Sequence, residues 1–590
     1  MCGRARWERF ADGPGRLRGL LTAARTLARR HWLFTVVLGA GLVLRILTQV
    51  AYTPALVYID SYRYLTGDSS LDPLGYLVLL WPLQRAGGLA AVAAAQHLLG
   101  LGMAGVLYAL LLRRGIWRWA AALAAVPVLL DGYQLQVEQT IMPDTLFEAL
   151  IVAGLALLLW RPRPAAWQVA LAGLALGVAV DVRQVGEVLI VPAVAFLLVR
   201  ALRWRRLTHS ALLAAVFAVP VLTYMLVQLG VTGQFTFTAR DSYVFYGRAA
   251  AAADCATLRL PPDERSLCPS PQVVASLDID GLVGDPAGPL LSYQPPPGMT
   301  IQGMADRFER AVVTQQPMAV VSAIDRDFVK LFALTRDTAP GDMPISRWQF
   351  QTTYPTYPSL ITRRYVASIR PGGAPPSVIR PLAQVLRDYQ LYGGYTPGPL
   401  LALAGLAGLA GSCSMLVGGR RERTATAMAS LLFTVTGIVL LLASDAYEFS
   451  WRYQLPALVL LPPAGILGTA AAAAARRRWR VQAGIRSAGA VHREHRPADQ
   501  RRRVADQERD HVGDRLRLDR VGQHLRRERG PVRGVVDQLR CDRVHPDPLR
   551  AELDVECAGQ VHQGGLAHAV GRHSGGRLDP RPGGHVHDDP

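Results

Sequence analysis

A chain of 590 residues with 50% hydrophobic side chains, 18% charged ones and a mean hydropathy of +0.18 does not have the make-up of an ordinary soluble domain. Its net charge of +19 and pI near 10.1 would suggest nucleic acid in a soluble protein. Here, though, the arginines of the first 480 residues gather at the ends of long apolar blocks. That is a membrane pattern, and it removes nucleic acid as an expected partner.

A bilayer core about 30 Å thick needs about 20 apolar residues per helix. Blocks of this kind recur at 32–52, 88–112, 118–131, 145–160, 166–181, 186–201, 210–230, 398–417, 426–443 and 455–475. They predict an all-α polytopic membrane protein of about ten transmembrane helices. Basic clusters at Arg25–Arg30, Arg113–Arg118, Arg161–Arg163, Arg203–Arg206, Arg420–Arg423 and Arg476–Arg480 fall on alternate connectors. By the positive-inside rule those connectors and both termini are cytoplasmic in a plasma (inner) membrane, and 53–87, 132–144, 182–185, 231–397 and 444–454 lie outside. The first apolar block is too long, and its basic flank too extended, for a cleavable signal peptide.

This divides the chain into a cytoplasmic segment 1–30, seven closely spaced helices over 31–230, an extracytoplasmic loop domain over 231–397, three helices over 398–475, and a basic tail over 476–590. The loop is far longer than a connector needs, which suggests a small domain or a lid. No internal repeat is visible, which argues against transporter folds built from repeats. After Ile485 the tail has no Ile, Phe, Tyr, Trp, Met, Lys, Thr or Asn, and from 481 onward it holds ten of the thirteen histidines. Such a composition predicts disorder. Its Arg and His runs allow a nucleic-acid, headgroup or metal tract, but the residue mix is also what a GC-rich gene gives out of frame.

Two of the six cysteines, Cys255 and Cys268, lie in the outer loop with twelve residues between them. An extracytoplasmic compartment permits a disulfide. A reactive or metal-binding pair would want a neighbouring His or further Cys, which this stretch lacks. Cys2, Cys413, Cys541 and Cys557 have no readable partner.

Charged residues in or beside a span usually have a reason. The acids on the outer side are Asp60, Asp68, Asp72, Asp131, Glu138, Asp144, Asp181, Asp445 and Glu448; the arginines there include Arg63, Arg183 and Arg452, with Arg45 inside the first span. Asp60 lies in VYIDSYRYL among Tyr58, Tyr62 and Tyr64. An acid in that setting can act as general base for a hydroxyl acceptor, and the same pattern also describes an interfacial loop with belt tyrosines.

Four stretches add a resemblance. LVLRILTQVAYTPALVYIDSYRYL carries an Arg in the first helix, a Pro-containing segment, then an acid with a nearby Tyr. VEQTIMPDTLFEALIVAG has acids at Glu138 and Asp144, LAGLALGVAVDVRQVGEVLIVP has Gly177 and then Arg183, and EFSWRYQLPALVLLPPAG has an aromatic-Arg-Tyr-x-x-Pro motif at Arg452. In this order they resemble the GT-C superfamily of membrane glycosyltransferases that use lipid-phosphate sugars, in its bacterial branch related to the protein mannosyltransferases and aminoarabinose transferases. The matches cover about 30–230 and 440–470.

The resemblance implies a sugar moved from a polyprenyl-phosphate donor to an extracytoplasmic hydroxyl acceptor, with Asp60 as general base. Arg183 and Arg452 would meet the donor phosphate, and Tyr62, Arg63, Glu138 and Asp144 would bind substrate; Arg45 reads as a structural ion pair. The departures are that Ser61, not a second acid, follows Asp60, and that the outer loops contain no His. A metal is therefore not expected, with Asp60 and Asp144 the one pair that leaves such a site open, and no other cofactor is implied. Lys330 is the only lysine and Asn is absent, a residue usage of GC-rich, actinobacteria-like genes. Two other classes remain open: a transporter or flippase, which needs a polar path through the bundle, and a non-catalytic envelope assembly protein, which does not depend on Asp60.

Overall fold

The computed structural model describes residues 26, 28–200, 203–238, 241–357, 361–413 and 421–494. The rest of the N-terminal segment and of the tail, with Cys2, Cys541 and Cys557, lie outside the described residues. All that follows concerns the compact unit Met1–Ala483. The fold is almost wholly helical, in the order α1 (Trp32–Ala51), α2 (Ile59–Thr66), α3 (Leu77–Arg113), α4 (Arg118–Leu130), α5 (Gly132–Gln139), α6 (Asp144–Leu159), α7 (Ala166–Val182), α8 (Ile190–Arg200) and α9 (Arg203–Thr232). The long loop contributes α10 (Asp241–Ala252), α11 (Pro271–Ser276), α12 (Ile279–Gly284), α13 (Pro289–Ser292), α14 (Ile301–Gln315), α15 (Pro317–Lys330), α16 (Arg363–Ser368) and α17 (Arg380–Leu391). Then come α18 (Gly398–Ser412), α19 (Arg421–Tyr447) and α20 (Leu455–Glu494).

A helix stands at each of the ten expected places, but they differ in length. Five are long and apolar enough to cross a membrane, or six if the bent pair α4–α5 is one span. The chain is thus a multi-pass helical membrane protein with several shorter apolar helices packed among the long ones. Helix α1 shows the logic. Gly41, Arg45 and Thr48 recur at three- and four-residue spacing and are buried, while Trp32, Val36, Val43 and Ile46 face outward. An outward apolar face of that kind suits hydrocarbon. Helix α3 breaks at Gly88, whose φ of 70° other residues rarely adopt. Helix α20 runs on past the expected end at 475, because its Ala and Arg run favours helix.

Close packing rests on small residues. A Cβ on Gly177 would strike the Phe217 carbonyl of α9, and one on Gly411 would strike Gly468 of α20. Backbones this near each other are how membrane helices gain contact without a hydrophobic driving force.

The largest departure from expectation is at 132–144. In place of an outer connector, α4 bends by 49° into α5, every residue of which is buried. Asp131 makes the bend possible. Its Oδ1 accepts from the Tyr133 amide at 2.9 Å and its Oδ2 from the Thr396 amide at 2.6 Å. Two of the polar residues α5 carries inward, Glu138 and Gln139, are paired there. Glu138 accepts from Arg45 at 2.7 Å and meets His97 at 2.9 Å; His97 reaches Gln139 at 2.8 Å.

The loop 231–397 divides into two parts, one with a core of its own and one spread over three cores shared with the membrane helices and their connectors. One, around Tyr246, Leu267, Met304 and Phe308, is internal to the loop, and Cys255 and Cys268 are joined beside it with Cα atoms 5.9 Å apart. The other packs Trp348, Phe350 and Tyr354 onto the chain between α1 and α2. There Tyr52 and Thr53 pair with Val378 and Ser377, and the Tyr354 hydroxyl donates to the Ala55 carbonyl at 2.7 Å. The loop therefore holds the connector between α1 and α2 in place.

Arg45 and Glu138 are 2% and 0% exposed, so neither charge tolerates loss of its partner. Arg45→Met should lower stability by about 3–5 kcal/mol. Thermal unfolding in detergent checks this, and a wild-type midpoint would contradict it.

Candidate functional site

Three separate parts of the sequence meet at one pair of carboxylates. Asp60 is in the first turn of α2, a short helix held by Ser61, whose hydroxyl donates to the Ile141 carbonyl at 2.8 Å and accepts from the Tyr58 amide at 2.9 Å. Asp144 opens α6. Arg452 comes from the short turn Trp451–Gln454 that leads into α20. It donates to Asp60 at 3.0 Å, and its Nε lies 3.9 Å from Asp144. Arg63, one turn on from Asp60, bonds Asp60 at 2.7 Å and Asp72 at 2.5 Å. Arg183, at the end of α7, is ion-paired with Asp144. The rings of Trp348 and Tyr453 flank the Arg452 guanidinium at 5.0 and 5.2 Å.

These groups line a cavity of about 640 Å³. Asp60, Arg63, Asp72, Arg183, Arg452 and Tyr453 form its membrane-helix side, and Asp278, Asp280 and Arg347 of the long loop form the facing side. Glu448 closes one end, accepting from the Tyr453 hydroxyl at 2.9 Å. Four arginines, Arg63, Arg183, Arg347 and Arg452, border the cavity, each already beside a carboxylate, and fork-shaped guanidinium donors suit phosphate.

The carboxyls differ in charge state. Burial would raise Asp60, but Arg63 and Arg452 outweigh it and hold the group below the usual carboxylate range. Asp72, beside the same Arg63, is raised because burial outweighs that pairing. Asp280, exposed in the cavity wall, is pushed up to about 6 by the partial desolvation there and by the nearby Asp60 and Asp278. Glu448 is raised well above its ordinary value by burial and Asp280. Among the described residues no group of three or more His, Cys, Asp or Glu is placed to hold a metal ion.

Of the residues singled out in the sequence, Asp60, Arg63, Arg183 and Arg452 line this cavity, and Asp144 lies just behind it with Arg183. Two do not. Glu138 is fully buried between Arg45 and His97, away from the cavity, and its geometry is that of a structural charge. Tyr62 is half-buried against Tyr365, with ring centres 6.2 Å apart, and does not line the cavity. Sequence reasoning missed Asp278, Asp280 and Arg347, which lie more than two hundred residues from Asp60 and carry no local motif.

Fold and site define a multi-pass membrane protein with an arginine-rich, carboxylate-bearing cavity at the helix ends. Residues 89–236, about a quarter of the chain, match the family model described as dolichyl-phosphate-mannose-protein mannosyltransferase. The GT-C resemblance is borne out over that segment, which includes Asp144 and Arg183. Two solved structures also align: ArnT from Cupriavidus metallidurans in the apo state and bound to undecaprenyl phosphate. Their identities are 16% and 17%, over 75% and 74% of this chain and 77% of theirs, with TM-scores of 0.30. No curated protein sequence matches.

A carbodiimide reacts with protonated carboxyls, so labelling reads the charge states directly. Asp280 should be labelled at pH 5 and spared at pH 7.5, because its carboxyl ionises near pH 6. Asp60 should be spared at both. Peptide mass spectrometry showing Asp60 labelled at pH 5 would contradict the two-arginine clamp.

Proposed function

We propose that the chain is a membrane glycosyltransferase that moves a sugar from a polyprenyl-phosphate donor to a hydroxyl acceptor outside the membrane, with Asp60 as general base. The observation that supports this best is the placement of Asp60 and Asp144 around Arg452 at one large cavity, in a chain whose segment 89–236 matches a family named for lipid-phosphate mannose transfer. The alternation of basic clusters supports an active site on the outer face of a plasma membrane, with both termini inside and the loop domain 231–397 outside.

In this reading the lipid tail stays between the helices and the phosphate meets Arg183 and Arg452. The acceptor oxygen attacks the anomeric carbon, the bond from that carbon to the phosphate oxygen breaks, and its electron pair leaves with the lipid phosphate. The acceptor proton goes to Asp60. The leaving group is already a stable anion, so the protein supplies cations rather than an acid. Displacement from one side inverts the anomeric centre.

Arg452, donating to Asp60, helps hold the proton affinity of Asp60 low. A phosphate on Arg452 would draw that charge away and raise the basicity of Asp60 when a donor is bound. Arg63 stays with Asp60 and keeps its orientation.

Asp60→Asn keeps the shape but removes the base. Transfer by purified protein should fall by about 10²–10⁴ with donor binding retained. Arg183→Ala should instead weaken donor binding. Near-normal turnover by Asp60→Asn would remove it from the mechanism and bring Asp144 forward.

A further inference from the structure

The turn Trp451–Gln454 supplies Arg452, and the mechanism above makes no use of the residue beside it, Tyr453. Tyr453 is half-buried and borders the large cavity. The centre of its ring lies 5.1 Å from the Arg183 guanidinium and 5.2 Å from that of Arg452. Both distances are within the reach of a cation–π attraction. Phe147 is 5.9 Å from Arg183, and Trp348 is 5.0 Å from Arg452. Among the described residues, Tyr453 is the ring the two arginines have in common.

Two guanidiniums at one site repel each other, so something must hold them together. Asp144 does part of this: it is ion-paired with Arg183 and lies 3.9 Å from Arg452 Nε. A ring can do the rest, because its negative face attracts a cation without neutralising it. That difference matters at an anion site. A second carboxylate would take the charge a phosphate needs, whereas a ring leaves it available. Solvent does little to weaken the attraction here. The space enclosed by Asp144, Arg183, Arg452 and Tyr453 is about 10 Å³, no more than one water molecule needs.

The ring is itself fixed through its hydroxyl. That group donates to Glu448 at 2.9 Å and accepts from Arg452 Nη2 at 3.4 Å. Glu448 is buried directly after α19, so the ring is oriented from a helix end.

We propose that Tyr453 is a positioning residue for the donor phosphate: its ring holds the guanidiniums of Arg183 and Arg452 together, and Glu448 fixes the ring through the hydroxyl. That the anion is a lipid phosphate rests on the glycosyltransferase reading above; that the ring holds the two cations stands on the geometry. Cations from two separate segments can then engage different oxygens of one phosphate. The order of the motif has a reason on this account, since the Arg binds and the Tyr beside it aims.

The test uses the full chain in nanodiscs and reads the arginines without any donor. Phenylglyoxal modifies accessible guanidinium groups, and peptide mass spectrometry gives the rate at each arginine. Tyr453→Leu removes the ring and should raise the labelling of Arg183 and Arg452 about tenfold, the size of a desolvated cation–π contact. Tyr453→Phe keeps the ring and should bring both rates back to within about threefold of wild type, the smaller effect of the lost hydroxyl contact. Arg63 is held by Asp60 and Asp72 instead, so its labelling should be the same in all three proteins. Binding of undecaprenyl phosphate to the same samples should weaken about tenfold in Tyr453→Leu and recover in Tyr453→Phe. Unchanged labelling of Arg183 and Arg452 in Tyr453→Leu would overturn the proposal. So would a rise at Arg63 alongside them, which would make the ring a general packing residue, or equal undecaprenyl phosphate binding by Tyr453→Leu and wild type. If wild type bound no undecaprenyl phosphate while the labelling followed the predicted pattern, the clamp would stand and the glycosyltransferase reading alone would fall.

Discussion

The site depends on one guanidinium shared between two carboxylates. Arg452 is 8% exposed and lies between Asp60 of the first connector and Asp144 at the head of α6. Those three residues are far apart in sequence, so the ion array ties the start, middle and end of the membrane unit together. A buried charge has to be compensated, and removing one partner of such a pair typically costs about 3–5 kcal/mol. The same property makes Arg452 useful. A cation already desolvated and flanked by the rings of Trp348 and Tyr453 would lose little further hydration on meeting another anion.

Around that array the fold is a holder. Asp131 starts α5 inside the protein, Glu138 carries Arg45 and His97, and Ser61 fixes α2 to the chain ahead of α6. The long loop then presses Trp348 and Tyr354 onto the first connector. Each contact limits how Asp60 can move relative to Arg452. An acid in an outer connector would otherwise be free to turn to water, and the pairing would have the small worth of an exposed salt bridge.

Much of this was legible in the sequence, and for a definite reason. Apolar run length is a local property, so the positions of ten helices could be read. Asp60, Arg183 and Arg452 stood out because charges beside apolar spans are rare. Length alone misled at 132–144, where polar residues suggested solvent and the chain instead buries α5 by capping and pairing it. Glu138 shows the limit most clearly. It stands in a stretch that resembles a catalytic one, yet Arg45, more than ninety residues away, decides its role. Asp278, Asp280 and Arg347 could not be read, because what brings them to the cavity is packing against a distant segment.

The account stands on Arg452 exchanging Asp60 for the donor phosphate. A structure of the full chain in nanodiscs with bound undecaprenyl phosphate, determined by electron cryomicroscopy, tests this most directly. The phosphate is predicted to sit within hydrogen-bond reach of Arg452 and Arg183, with the Arg452–Asp60 contact opened from its present 3.0 Å and Arg63 still on Asp60. A phosphate bound elsewhere, with Asp60 and Arg452 still paired, would contradict it.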